Sequence, residues 1–238
     1  MITSKDTHNV MLITGTSKGI GRYLAEYYAK AGFNVVGCSR TGSDIKHENY
    51  HEVVADISIE EDVLKIFRFI RSHFKVLDIV INNAAINPAI ISCALIPYTT
   101  IEKIYKVNVF APMLICREAV KLMGRNKWGR IINIGSMASK HEVPGEALYT
   151  STKAAMIAYS RVLAKETGKQ NITVNVVAPS VIETELSSKI DKKALADVLS
   201  RNAIQEYGLF SDVTNTIDYL IDNSSKSITG QVIYLGGV

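Results

Sequence analysis

A chain of 238 residues, 47% apolar and 21% charged, has the composition of a folded globular protein with room for a full core, which excludes a disordered chain. Its net charge of +4 comes from scattered Lys and Arg without a basic tract, which argues against nucleic-acid binding and leaves room for an anionic ligand. Cys38, Cys93 and Cys116 show no C-x-x-C spacing and read as reduced, mostly buried thiols, with no disulfide frame and no metal site.

Met1 to Asn9 is polar, without the apolar core or cleavage site of a signal peptide. No uncharged apolar stretch approaches the roughly 18 residues of a membrane span. The expectation is a soluble, cytoplasmic protein without a membrane partner.

Val10 to Thr14 is a short, continuously apolar run, as a central parallel strand requires. Thr14-Gly15-Thr16-Ser17-Lys18-Gly19-Ile20-Gly21 follows. Helix formers over 20–31 then end at Gly32, a helix C-cap. Further strands are expected at Asn34–Cys38, Glu52–Ala55, Leu77–Asn82, Arg130–Ile134, Thr173–Ala178 and Gln231–Leu235. Helices are expected at 59–74, 100–126, about Leu148 to Gln170, and 211–222. Residues 183–205 are polar with a helical pattern. Only about a dozen residues separate the second and third strands, so any helix there must be rudimentary. Alternating strands and helices point to an α/β fold: one Rossmann-like domain over 1–238, a doubly wound parallel sheet of about seven strands with helices on both faces.

Glycines 15, 19 and 21 allow a tight turn and close backbone approach to a pyrophosphate held at a helix N-terminus. Their spacing is G-x-x-x-G-x-G, not the G-x-G-x-x-G of the general dinucleotide fingerprint. The second strand ends Cys38-Ser39-Arg40, with a cation where an acid would hold the ribose hydroxyls of NAD. Lys18 adds a second cation inside the loop, and the pair points to NADP(H).

Tyr149 and Lys153 lie four residues apart, one helical turn, so phenol and ammonium emerge on one face. A cation beside a phenol favours phenolate and lowers its pKa, which suits proton transfer. Together with a phosphate loop, this reads as carbonyl–alcohol redox chemistry on a nicotinamide.

These segments resemble the short-chain dehydrogenase/reductase family over essentially the whole chain. The glycine loop matches its cofactor motif, and Asn82-Asn83-Ala84-Ala85 resembles its Asn-Asn-Ala-Gly motif. Ile228-Thr229-Gly230-Gln231 and Leu235-Gly236-Gly237 resemble its C-terminal signature. The resemblance implies catalytic roles for Asn108, Ser136, Tyr149 and Lys153. It implies cofactor contacts by Gly15, Ser17, Lys18, Gly19, Ile20, Gly21, Arg40, Asp56, Ile57, Asn83, Ala84, Tyr149, Lys153, Pro179, Val181, Ile182 and Thr184, with Asp56 on the adenine ring. The cofactor-binding half spans about 1–135 and the catalytic half about 136–238, with a lid at about 183–205.

Gly129-Arg130-Ile131-Ile132, Ile172 to Pro179 and Ile182-Glu183-Thr184 are most similar to 3-oxoacyl-acyl-carrier-protein reductases. A 3-oxoacyl thioester or similar β-oxo compound is the leading small-molecule carbonyl/alcohol substrate. The alternatives are a sugar, polyol or nucleotide sugar and, more remotely, a non-catalytic NADP(H)-binding regulator. An acyl carrier protein is a candidate partner. Arg125, Lys127 and Arg130 read either as its docking patch or as solvated charge. Ser180 stands where the family has a glycine after Pro179. The family also implies a dimer or tetramer, with Ala154, Ala155, Met156 and Ala158 forming a seam of small side chains. His141 reads as polar lining.

Overall fold

Burial on both faces is what turns the short apolar runs into strands. In the computed structural model, which describes residues 9–88, 90–182, 196 and 198–237, seven strands form one parallel sheet. They are β1 (Val10–Thr14), β2 (Asn34–Ser39), β3 (Tyr50–Val54), β4 (Ile79–Asn82), β5 (Gly129–Ile134), β6 (Ile172–Ala178) and β7 (Val232–Tyr234). Their order is β3-β2-β1-β4-β5-β6-β7. Expected boundaries match at β1 and differ by one or two residues at the other strands. The order reverses between β1 and β4, where register runs from Met11↔Ile79 to Ile13↔Ile81. A crevice at the carboxyl ends of the strands opens at that switch point.

The helices are α1 (Gly19–Lys30), α2 (Glu60–His73), α3 (Tyr98–Tyr105), α4 (Ala111–Asn126), α5 (Ala138–His141), α6 (Ala147–Thr167) and α7 (Phe210–Ile221). Leu12, Val36, Val80, Ile131 and Val174 face α2, α4 and α6, meeting Phe67, Ile115 and Leu163. Met11, Ile13, Val35, Ile81 and Ile132 face α1 and α7, meeting Leu24, Tyr28, Val213 and Ile217. Each face buries a continuous apolar layer, the dominant stabilising term. No helix among the described residues is long and apolar enough to cross a membrane.

The structure corrects some expectations and sharpens others. The helix expected over 100–126 is three segments, because a π-helical turn at Lys106–Phe110 separates α3 from α4. No helix forms between β2 and β3; Ser43 instead fastens that linker to Glu52 and Tyr50 of β3. The carboxyl end of α1 is capped by Ala31, and Gly32 takes the left-handed conformation next to it. Cys93 is exposed, while Cys38 and Cys116 are buried. Most of 183–205, with Thr184, lies outside the described residues. Arg130 is fully buried, stacked 4.4 Å from the Trp128 ring and donating to the carbonyls of Gly129 and Asn171. It therefore cannot join Arg125 and Lys127 in a docking patch. All three lie around the amino end of β5, away from the crevice.

Two tyrosine hydroxyls clasp one carboxylate between α1 and α7. Tyr27 and Tyr28 donate to Asp218 at 2.7 and 2.9 Å. Asp218→Ala strands the buried Tyr28 hydroxyl, a loss of about 2 kcal/mol. The expected result is an unfolding midpoint about 4–8 °C lower by circular dichroism, and an unchanged midpoint would refute it.

Candidate active site

The turn after β1 delivers the glycine loop into the crevice. Gly19 has a φ of +59°, and a Cβ placed there meets nothing within 4 Å, so the loop presents open backbone. Gly21 answers a different demand, since a Cβ there would collide with the Gly15 carbonyl and the Asn83 side chain. Asn83, just beyond β4, donates to the carbonyls of Thr14 and Gly15 at 2.9 and 3.4 Å. The Thr14 hydroxyl accepts from the Asn83 and Ala84 amides, both at 3.0 Å. The first turn of α1 has no capping side chain and no acid. Its N–H groups and dipole therefore suit an anion, and a dinucleotide pyrophosphate fits this cradle.

Around this cradle the other expected cofactor residues divide. Lys18 and Arg40 are exposed at its rim, and Ser17 and Ile20 are half-buried. Asp56 and Ile57 follow β3 at the carboxyl edge. One Asp56 oxygen is already occupied by the Ser58 amide and hydroxyl, at 2.9 and 2.7 Å. Pro179 is buried after β6 and Val181 is half-buried. Ile182 packs its side chain into the core, which leaves its backbone to face a ligand. Glu52, paired with Gly37 of β2, accepts through one oxygen from Ser43 and from Tyr50, whose hydroxyl also bonds Thr16 at 2.9 Å, while its other oxygen is buried without a hydrogen-bond partner among the described residues.

Ser136 follows β5, and its Oγ accepts from the Ala138 amide at 3.1 Å to start α5. Tyr149 and Lys153 stand one turn apart on α6. The Lys153 ammonium lies 5.5 Å from the Tyr149 ring centroid and donates to the Ile134 carbonyl at 2.8 Å. Lys153 is only 5% exposed, and burial lowers its pKa from 10.5 to about 8. Tyr149 moves the opposite way to expectation. Burial of the phenol pushes its pKa up to about 12, against a hydrogen bond to Ser136 that lowers it and the Glu146 carboxylate that raises it. Desolvation is the dominant cause.

Asn108 sits in the π-helical turn with its carboxamide on the loop after β4. Its oxygen accepts from the Ile86 amide at 2.9 Å. Its nitrogen donates to the Ile86 carbonyl at 2.8 Å and the Thr152 hydroxyl at 3.2 Å. Both amide donors are thereby engaged. The side chain thus ties the β4 loop to α6 one residue before Lys153.

Sequence reasoning missed Asn202, which is 3% exposed. Its nitrogen donates to Ser180 Oγ at 2.6 Å, and its oxygen lies 2.9 Å from His141 Nε2. The one signal available was Ser180 in a glycine position. No cluster of metal-binding side chains occurs among the described residues.

The short chain dehydrogenase family profile matches residues 9–195, so the chain belongs to the short chain dehydrogenases, a family of carbonyl–alcohol oxidoreductases. It is 30% identical to a 3-oxoacyl-acyl-carrier-protein reductase of Aquifex aeolicus, with 96% of each chain aligned. Among solved structures it is similar to ElxO with NADP bound, at 29% identity, TM-score 0.86 and coverage of 96% and 97% of the two chains. It is also similar to a Brucella melitensis 3-ketoacyl-acyl-carrier-protein reductase complexed with NADH, at 26% identity, TM-score 0.88 and the same coverage.

Proposed function

We propose that this short chain dehydrogenase is a single-domain, NADP(H)-dependent reductase of a 3-oxoacyl thioester or similar β-oxo compound, acting reversibly through Ser136, Tyr149 and Lys153. The convergence of those three side chains beside an open phosphate cradle carries the reading. The substrate class draws on the 3-oxoacyl reductase relatives and on the rim of the crevice. Exposed Ile90 lies against Gly145, and exposed Leu209 adjoins Gly208, which bridges to Ile182. Such a rim favours an acyl chain over a polyol.

A bound nicotinamide supplies or accepts the hydride. The chain's own residues hold the substrate oxygen and manage its proton. Ser136 Oγ donates to the carbonyl oxygen and stabilises the charge that develops there. Tyr149, protonated across neutral pH, donates its proton to the same oxygen. Lys153 steadies the charge on Tyr149 and has two ammonium hydrogens left, after Ile134, for the nicotinamide ribose. Asn108 fixes the backbone around Lys153, and one lone pair of its oxygen remains for the water that the family resemblance implies.

Lys18 and Arg40 support NADP(H). They are cations at the loop and at the end of β2, the strand end where an acid would hold the ribose hydroxyls of NAD. The test is nicotinamide oxidation with acetoacetyl-N-acetylcysteamine, run with NADPH and NADH on wild type and Lys18→Ala/Arg40→Ala. Wild type is expected to favour NADPH, and the double variant to lose roughly 10- to 100-fold in that preference. An unchanged preference removes the cofactor assignment. Absence of thioester turnover by cofactor-binding protein removes the substrate assignment.

The assembly we propose is a homo-oligomer formed through α4 and α6. Ala154, Ala158, Val162 and Phe110 are exposed on this face, whereas Met156 points into the core. A carrier protein delivering substrate has to meet the carboxyl-end face, remote from Arg125 and Lys127.

A further inference from the structure

We propose that Tyr50 is a positioning residue for the phosphate cradle: its hydroxyl joins the short segment between β2 and β3 to Thr16 of the glycine loop and so presets that loop for a dinucleotide. This rests on the reading of the glycine loop as a cofactor site and assigns that site a supporting residue outside it.

Four side chains meet at one carboxylate and one phenol. Tyr50 Oη lies 2.9 Å from the Thr16 hydroxyl, 2.7 Å from Glu52 Oε2 and 3.0 Å from the Ser43 hydroxyl. A carboxylate only accepts, so the phenol proton goes to Glu52 and the Thr16 hydroxyl donates to Tyr50. Ser43 holds the same carboxylate oxygen through its amide and its hydroxyl. Thr16 is fully buried, and Tyr50 is the one hydrogen-bond partner of its hydroxyl among the described residues.

The surrounding backbone is arranged for this link. Gly37 lies within β2, and a Cβ placed there would come 2.3 Å from the Tyr50 hydroxyl. Its backbone is that of the strand, so the glycine answers a need for space, and any side chain would push the phenol off Thr16. On its other side the segment is strapped to α1. Asp44 pairs with Arg22, Asn49 donates to the Ala29 carbonyl at 3.3 Å, and Ile45 packs on the layer that α1 covers. The base of the glycine loop is held separately, by the Gly15 and Thr16 amides on the Cys38 carbonyl at 2.8 and 3.3 Å. The loop is therefore fixed by its backbone at the base and by Tyr50 at its side. A loop whose N–H groups must converge on an anion binds more tightly when less ordering is left to the binding step.

The test is fluorescence titration of NADPH into wild type, Tyr50→Phe, Thr16→Val and the double variant, with amide hydrogen exchange on the same proteins free of cofactor. Unfolded protein lowers the number of binding sites and leaves Kd alone, so Kd reports the loop. It is expected to rise roughly 5- to 30-fold in Tyr50→Phe and by a similar factor in Thr16→Val, the effect of one or two lost hydrogen bonds. The double variant is expected to match the weaker-binding single variant, because both changes cut the same bond. Exchange is expected to quicken in peptides spanning 14–22 and to stay within about twofold in those of β5 and β6. An unchanged Kd in Tyr50→Phe, a double variant whose loss is the product of the two single losses, or exchange that quickens equally throughout the sheet overturns the assignment and leaves the cofactor site standing. If Tyr50→Phe does not fold, Thr16→Val decides by the same Kd and exchange criteria. Wild type that binds neither NADPH nor NADH removes the cofactor reading, and the assignment with it.

Discussion

Replacing Tyr149 with Phe is expected to lower kcat for carbonyl reduction by roughly 10²- to 10⁴-fold while NADPH binding stays within about twofold. The change deletes one oxygen and leaves the ring beside Lys153, so the packing of α6 persists. In the mechanism proposed above, Ser136 keeps its hydrogen bond to the substrate oxygen, which accounts for residual turnover, but the acid that delivers the proton is gone. The phenol pKa of about 12 bears on direction as well. At neutral pH the group is protonated, ready to act as an acid in reduction. Alcohol oxidation needs the phenolate, so its rate is expected to rise with pH. Stopped-flow reduction and cofactor fluorescence titration on the same samples test both parts. A variant keeping more than about a tenth of wild-type kcat would show that the proton comes from elsewhere.

Lys153→Met is expected to abolish most activity and to remove a rise of stability with pH that wild type shows. In the unfolded chain the ammonium keeps its proton to about pH 10.5; in the fold, burial releases it near 8. Between these values the unfolded state binds more protons, so raising pH stabilises wild type. Below pH 8 the whole cost of the buried charge is present, about 3 kcal/mol by the size of the shift. The hydrogen bond to Ile134 offsets part of it. Methionine has no such proton. The unfolding midpoint of wild type relative to Lys153→Met therefore climbs between about pH 7 and about pH 9.5. Equal differences at both pH values would mean that Lys153 is solvated in the fold. A site residue that costs stability where it is most useful is the usual trade-off at a reaction centre.

The sheet was legible because buried parallel strands leave continuous apolar runs, and Val10–Thr14 was recovered to the residue. The glycine loop was legible because backbone approach admits few side chains. The break in the 100–126 helix was not. The turn at Lys106–Phe110 contains no proline or glycine, although Pro112 follows it, and the contacts of its Asn108 with Ile86 and Thr152 lie across the chain. The rise in the Tyr149 pKa was hidden for a related reason. Spacing showed the cation, whereas desolvation depends on everything packed around the phenol. Arg130 reads as surface charge in any linear view, and only the Trp128 ring and two carbonyls explain its burial. Asn202 lies just past a segment of weak pattern, and its partners are 22 and 61 residues distant. Nothing local marks it.

The clasp of Tyr27 and Tyr28 on Asp218 also has a meaning in time. Tyr28 waits 190 residues for its carboxylate, an interval of about 10–40 s at ordinary rates of translation. Through that interval the first helix exists with its inner face unfinished, and α7, which completes that layer, is nearly the last element made. The nascent chain therefore carries an open apolar surface on one side of the growing sheet until synthesis is almost over. Nascent-chain chaperones have their longest window on that side.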